Sequence, residues 1–294
     1  MPNPTDTILQ YSAGAATSDK TPWAFVTGST SGIGLSIACD LCNRGFNVFI
    51  HGRDQGRLHT AVDRLTKDYP SVNVRAILLD SRNAFLPDGR PSSKTSEGLA
   101  QLTSKNLRLL VNNVGCGHNP KSDFAALIDQ TSTEISTIID VNIKFMVYLT
   151  QFLLPHLHEN AVSDTLKYKS LVINAGSLAE LGLPWVAVYS GSKAFITAFT
   201  KALDTELQGD DRQVKAVMAL IGDTDTPGHS VGKNLFTPSG EEMGRMVVLA
   251  AAKAVVVVPS WAHWLQYLLC IAQPFWLLQK GFIHTLKLVK RKTE

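Results

Sequence analysis

Hydrophobic and polar positions along the chain follow two alternating rhythms. Short apolar runs at 23–27, 47–50, 74–79, 107–111, 171–173, 216–221 and 255–258 have the length and composition of buried strands. Between them, 33–44, 57–67, 133–158, 194–207 and 240–253 carry apolar residues at helical spacing. Ser239-Gly-Glu-Glu242 opens the last of these as a capping box: a hydroxyl and a carboxylate three residues on satisfy each other's backbone N–H groups. Strand–helix alternation implies βαβ units. The pattern therefore predicts an α/β fold, a doubly wound seven-stranded parallel sheet with helices on both faces. The stretch 81–104, rich in Pro, Gly and Ser around Pro87-Asp-Gly-Arg-Pro91, predicts an enlarged surface loop before a short helix.

The two ends break the alternation. Residues 1–20 are polar, with no basic n-region and no apolar h-region, and are expected to form a flexible leader, neither signal peptide nor membrane span. Residues 21–260 form one domain, and 261–294 an apolar helical extension with a basic tail. In 261–278, fourteen of eighteen residues are apolar, the exceptions being His263, Gln266, Gln273 and Pro274. These polar breaks argue against a spanning helix, which needs about twenty mostly apolar residues. The segment is expected to complete the core, cover an apolar substrate channel, form a dimer contact, or lie in a lipid headgroup region. His263 is expected to be a packed, satisfied histidine.

Composition narrows the class. The 294 residues are 45% apolar and 18% charged, as in globular proteins, with four cysteines and a net charge of +3. Residues 287–294 hold four of the 28 Lys and Arg and one of the 25 Asp and Glu, so the rest of the chain is neutral. A nucleic-acid partner is not expected from a neutral body. The basic tail suits an anionic membrane surface, and its Lys290-Arg291-Lys292-Thr293-Glu294 resembles a KxKxx endoplasmic-reticulum retrieval signal. Cys39 and Cys42 form a CxxC without a second pair or a nearby histidine, and read as buried helix residues in a reducing compartment. No histidine pair has ligand-like spacing with carboxylates, so no metal is expected.

Chemistry enters at the strand ends. The first strand runs into Thr27-Gly28-Ser29-Thr30-Ser31-Gly32-Ile33-Gly34, followed by a helix. Glycines there permit a tight turn and close backbone approach, and the helix N-terminus offers free N–H groups and a positive dipole end to a pyrophosphate. The second strand ends Ile50-His51-Gly52-Arg53, where an NAD site would place an acid on the ribose 2′-hydroxyl. Arg53 instead suits a 2′-phosphate, so NADP(H) is the expected cofactor. Asn112-Asn113-Val114-Gly115 follows a later strand, Ser177 another, and Tyr189-Ser190-Gly191-Ser192-Lys193 opens a helix. Tyr189 and Lys193, four apart, share a helix face. A free tyrosine, with a pKa of about 10, is a poor acid at neutral pH; a neighbouring ammonium favours its phenolate. Ser177 is placed to hydrogen-bond the same substrate oxygen.

This ordered set resembles the classical short-chain dehydrogenase/reductase family over about residues 20–260. The resemblance implies a Rossmann fold and assigns cofactor contacts to Gly28, Ser29, Ser31, Gly32, Ile33, Gly34, Arg53, Asp80, Asn113, Gly115, Tyr189, Lys193, Thr224 and Thr226. It implies that Tyr189 donates a proton and that Lys193 assists it and holds the nicotinamide ribose. Ser177 then orients the carbonyl, and Asn142 anchors a water in the proton relay. Two departures stand out. Ser177 precedes Tyr189 by twelve residues, one fewer than usual, so the intervening loop must be reshaped. The family's Pro-Gly after the sixth strand is Ile221-Gly222 here.

Arg44-Gly45-Phe46-Asn47-Val48, Gly52-Arg53-Asp54, Asn112-Asn113-Val114-Gly115 and Trp261-Ala262-His263-Trp264 with Pro274 resemble one branch in particular. It contains 17β-hydroxysteroid dehydrogenases and very-long-chain 3-oxoacyl-CoA reductases. That implies NADPH-dependent reduction of a bulky apolar ketone (steroid, long-chain 3-oxoacyl, polyketide or terpenoid). Oxidation of an alcohol at the same site, or a non-catalytic NADP(H)-binding regulator, are the alternatives. The resemblance further implies a homo-oligomer. It suggests a place at the cytoplasmic face of the endoplasmic reticulum, through peripheral contact by 261–294, with a soluble cytoplasmic chain as the alternative.

Overall fold

In the computed structural model, which describes residues 8, 11, 21–117, 124–163, 169–251 and 253–293, all seven apolar runs are strands. These are β1 (Trp23–Val26), β2 (Asn47–Gly52), β3 (Val74–Leu78), β4 (Leu107–Asn112), β5 (Ser170–Ser177), β6 (Val214–Ile221) and β7 (Val256–Val257). They pair in parallel in the order β3-β2-β1-β4-β5-β6-β7. Every residue of β1, β2 and β4 is buried. Strands covered on both faces have no solvent side to mark with polar residues, which is why they read as continuous apolar runs.

Alternate residues face opposite layers. Ala24, Val26, Val48 and Ile50 pack with α1 (Gly32–Asn43), α2 (Gln55–Asp68) and α7 (Gly240–Ala250) through Ile37, Leu65 and Val247. Trp23, Phe25 and Phe49 face the other way, toward α3 (Ser93–Thr103), α5 (Phe145–Val162) and α6 (Ala187–Gly209). Leu149, Leu153 and Leu157 of α5 recur at helical spacing and are all fully buried. Leu153→Ala would cost about 2–5 kcal/mol through lost burial and the cavity left behind. The capping box at Ser239 forms: Ser239 Oγ accepts from Glu242 N–H and the Glu242 carboxylate from Ser239 N–H.

Several boundaries differ from the sequence pattern, each for a physical reason. The expected loop at 81–104 contains α3. Its cap is Ser92, whose hydroxyl accepts from Thr95 N–H, and its core face is reduced to Thr95, Leu99 and Leu102. So few apolar positions leave no visible helical period. The helix expected at 133–158 is α4 (Ser132–Ile139), a π-helical turn (Asp140–Lys144) and α5, which continues through Pro155 to Val162. By length and composition this continuous helix could cross a membrane, but α5 is a core helix against the sheet. Helix α6 starts at Ala187, just before the Tyr189–Lys193 stretch expected to open it; these polar first turns lie ahead of the apolar period at 194–207. The 240–253 helix ends at Ala250.

The ends also differ. The leader is not wholly a solvent-facing segment: Ile8 and Tyr11 are buried in the core layer with α1 and α2, while the rest of 1–20 lies outside the described residues. The C-terminal extension is two helices, α8 (Trp261–Ile271) and α9 (Phe275–Thr293). Pro274 separates them, because its ring cannot continue a helix; its carbonyl accepts from Leu277 and Leu278 N–H instead. Only Ala262, His263 and Leu278 of these helices are buried among residues whose side chains are described. Cys39 and Cys42 are free thiols in α1, partly and fully buried, and burial pushes the Cys42 thiol up to about 12.

Candidate active site

Strand order reverses between β1 and β4, and the crevice beyond their carboxyl ends is where doubly wound sheets bind ligands. Gly28 and Gly32 of the turn after β1 have φ of 62° and 56°, the left-handed region that favours glycine. A Cβ on Gly34 would stand 2.3 Å from the Gly28 carbonyl oxygen, so only glycine fits there. Ser31, at the N-cap of α1, is extended and makes no side-chain cap bond. The first N–H groups of α1 therefore lack both intrahelical and side-chain partners, which fits a bound anion.

Three side chains hold this turn, in two places. Thr27 Oγ1 accepts from Asn113 and Val114 N–H (2.9 and 3.0 Å), and Asn113 Nδ2 donates to the Thr27 and Gly28 carbonyls (3.0 and 3.1 Å). The other hold is a residue that sequence reasoning passed over. His51, buried in β2, accepts the Gly28 N–H at Nδ1 (3.0 Å). Its proton is therefore on Nε2, which donates to the Leu79 carbonyl (3.1 Å). Burial pushes its pKa down to about 4, so the ring stays neutral. Its signal was a polar residue inside an otherwise apolar strand.

Two residues beyond His51, Arg53 is exposed at the end of β2. Asp80, beyond β3, is held below the usual carboxylate range, first by its hydrogen bonds from Arg82 and also by the Arg53 charge nearby. The sequence reading did not include Arg82, which occupies this carboxylate here.

On the far side of the crevice lie the remaining predicted residues. Lys193, buried in α6, donates from Nζ to the Ala175 carbonyl (3.0 Å), and Nζ stands 5.6 Å from the centre of the Tyr189 ring. Ser177 ends β5 two residues after Ala175; its Oγ accepts from Ala179 N–H (3.2 Å), leaving its own hydroxyl proton free to donate. Asn142 lies in the π-helical turn, a feature frequent at functional sites. Its Oδ1 accepts from Cys116 N–H (2.8 Å), and its Nδ2 donates to Ser192 Oγ (3.0 Å) and the Cys116 carbonyl (2.9 Å). A Cβ on Gly115 would stand 3.4 Å from Asn142 Oδ1 and 3.5 Å from Lys193 Nζ, so β4, the π turn and α6 converge here.

The stretch between Ser177 and Tyr189, one residue shorter than usual in the family, is tightly wound. A 3₁₀ turn (Leu178–Leu181) is followed by Gly182 at φ 90° and Trp185 at φ 61°, a conformation rare for a bulky side chain. The hydroxyl of Thr197 in α6 donates to the Glu180 carboxylate and secures the turn. After β6, where the family has Pro-Gly, His263 does the restraining: its Nδ1 accepts from Gly222 N–H (3.0 Å) and its Nε2 donates to the Asp223 carbonyl (3.0 Å). The loop so fixed carries Thr224, buried, and Thr226, which packs over Gly32.

Among doubly wound folds, this arrangement is that of an oxidoreductase. The chain belongs to the short chain dehydrogenase family, whose model matches residues 22–232. It is 27% identical to a very-long-chain 3-oxoacyl-CoA reductase of Scheffersomyces stipitis over 84% of this chain and 71% of that protein. It is 31% identical to one of Aspergillus terreus over 69% of this chain and 53% of that protein, so it spans about half of the latter's length. A short-chain dehydrogenase from Sphingobium yanoikuyae, solved with NADPH, has the same fold: TM-score 0.65, 21% identity, 83% of this chain and 91% of that one.

Proposed function

We propose that the protein is an NADP(H)-dependent ketoreductase acting on a carbonyl of a large apolar substrate, of which a long-chain 3-oxoacyl thioester is the best supported. The similar reductases from two fungi favour that substrate class, and the partly exposed Leu183, Pro184, Trp185 and Val188 beside Tyr189 offer apolar surface for it. The observation that carries the reading is Lys193 Nζ at 5.6 Å from the Tyr189 ring while tethered to β5 next to Ser177.

The residues present fit the cofactor. Gly28, Ser31, Gly32, Ile33 and Gly34 would hold its pyrophosphate on the uncapped start of α1. Ser29, expected among these contacts, is instead a strut: it is fully buried, its N–H donates to the His51 carbonyl, and its hydroxyl donates to the Val26 carbonyl and accepts from His51 N–H. Arg53 would pair with the 2′-phosphate, and Asp80, Asn113 and Gly115 would line the adenosine side. Lys193 and Tyr189 would hold the nicotinamide ribose, and Thr224 and Thr226 the nicotinamide end. When bound, NADPH supplies the hydride that the carbonyl carbon receives.

The chain's own groups manage the proton. Ser177 donates a hydrogen bond to the substrate oxygen and fixes its position. Tyr189 gives that oxygen its phenolic proton, and the Lys193 ammonium stabilises the phenolate left behind. Asn142, locked by its three hydrogen bonds, marks the point behind Lys193 where a water would return the proton.

Tyr189→Phe tests this, with consumption of NADPH followed against a long-chain 3-oxoacyl-CoA and a panel of small ketones. A loss of about 10²–10⁴-fold in kcat/KM is expected, the usual contribution of a positioned acid. Unchanged turnover would overturn the mechanism.

A further inference from the structure

Helices α8 and α9 leave a surface that water does not suit. Trp261, Trp264, Leu269, Phe275 and Trp276 are each between 52% and 62% exposed, with Ile283 at 42% on the following turns. On α8, positions 261, 264, 265 and 269 follow helical spacing and form one stripe, with buried Ala262 at its margin and buried His263 on the opposite side meeting the body. Contiguous exposed apolar surface of this kind marks an interaction site, since scattered single residues would need no explanation.

The charge of the same segment identifies the occupant. Residues 261–293 contain Lys280, Lys287, Lys290, Arg291 and Lys292 and no Asp or Glu. Protein–protein interfaces are depleted in lysine, whereas lysines bordering tryptophans suit the headgroup level of a lipid layer. Lys280 lies in that arrangement: its Nζ stands over the exposed Trp276 ring, 5.4 Å from its centre, so cation and aromatic face share one exposed site. The helices are not spans. Eleven residues of α8 reach about 16 Å against a hydrocarbon core of about 30 Å, and Lys280 and Lys287 interrupt α9.

We propose that the α8–α9 face docks in the interface of an anionic lipid bilayer, with the tryptophans at headgroup depth and the basic tail on the lipid charge. The body is then held against the surface by its C-terminal helices. His263 ties α8 to the Gly222–Asp223 backbone, so the docked helix also fixes the loop that carries Thr224 and Thr226. An apolar substrate would reach such a site from the bilayer without crossing water. The docking itself does not rest on the proposed reaction.

The test is flotation of the full chain with vesicles of phosphatidylcholine alone or with about a third phosphatidylserine, alongside the double variant Trp264→Glu, Leu269→Glu. Wild type should partition onto the anionic vesicles, less strongly as salt rises, by about fivefold per Lys or Arg engaged. The double variant should bind about tenfold or more weakly, with an unchanged melting midpoint because both side chains are exposed. It should also keep wild-type turnover of a long-chain 3-oxoacyl-CoA presented in detergent micelles; absence of turnover in both would count against the reaction, while flotation decides docking. Equal partition of wild type and variant, or no partition by either, would overturn the proposal. So would a wild-type dimer in solution that the variant splits into monomers without any change in flotation, which would assign the face to a second copy of the chain.

Discussion

His51→Phe separates the histidine's hydrogen bonds from its packing. The wild-type ring stacks on Phe145 with centroids 5.6 Å apart and planes at 21°, a contact that phenylalanine keeps. What disappears is the acceptor for Gly28 N–H and the donor to the Leu79 carbonyl. Leaving a buried donor without a partner costs about 1–3 kcal/mol, and the carbonyl adds to it, for a total of about 2–4 kcal/mol at pH 7. The pH dependence carries a second signature. Burial lowers the folded-state pKa from 6.5 to about 4, so between those values the unfolded chain binds a proton that the folded chain does not. Stability from the neutral ring is therefore complete above pH 6.5 and lost as pH falls toward 4, by about 3 kcal/mol in all. Phenylalanine cannot titrate. Urea unfolding followed by tryptophan fluorescence should show wild type and variant separated by about 2–4 kcal/mol at pH 7 and converging by pH 4. A gap that stays constant with pH, or none at pH 7, would refute the assignment. Because Gly28 belongs to the turn, the variant should also raise the KM for NADPH more than it lowers kcat.

Arg53→Asp removes the proposed partner of the 2′-phosphate and adds a repelling charge. The kcat/KM for NADPH should fall about 10–100-fold, the worth of charge-assisted hydrogen bonds, while that for NADH holds or rises; an unchanged NADPH preference would exclude the contact. Gly222→Ala would put a Cβ 2.6 Å from the His263 ring, whose two nitrogens are both committed to the same loop. A loss of about 1–3 kcal/mol in thermal stability and a weaker cofactor KM are expected, and a melting midpoint equal to wild type would show that the loop accommodates it freely.

How much of this was visible in the chain follows from where each constraint acts. Tyr189 and Lys193 were legible as a pair because four residues on one helix is a local relation. The cofactor turn was legible because its left-handed φ values and its close approach at Gly34 require glycine wherever the turn is placed. Helix α3 was not, since a helix that rests on the edge of the core with Leu99 and Leu102 leaves a mostly polar string. Ile8 and Tyr11 were not, because an isolated apolar residue in a polar leader carries no mark of what it will meet.

The sequence by itself determined the centre of the parallel sheet, because burial on both faces of β1, β2 and β4 leaves mostly apolar runs, and the alternation with helices placed the remaining strands, even β3 with its exposed Arg75. It also determined the order of the chemistry along the chain and the excess of positive charge at its end. The tertiary structure alone decided that Gly115, Asn142 and Lys193 meet, since they arrive on a strand end, a π-helical turn and a helix far apart in sequence. It decided, too, what the two histidines do. An imidazole accepts or donates with equal ease, so nothing in residue type distinguishes a catalyst from a strut; the Gly28 and Gly222 N–H groups facing His51 and His263 fix both rings as struts.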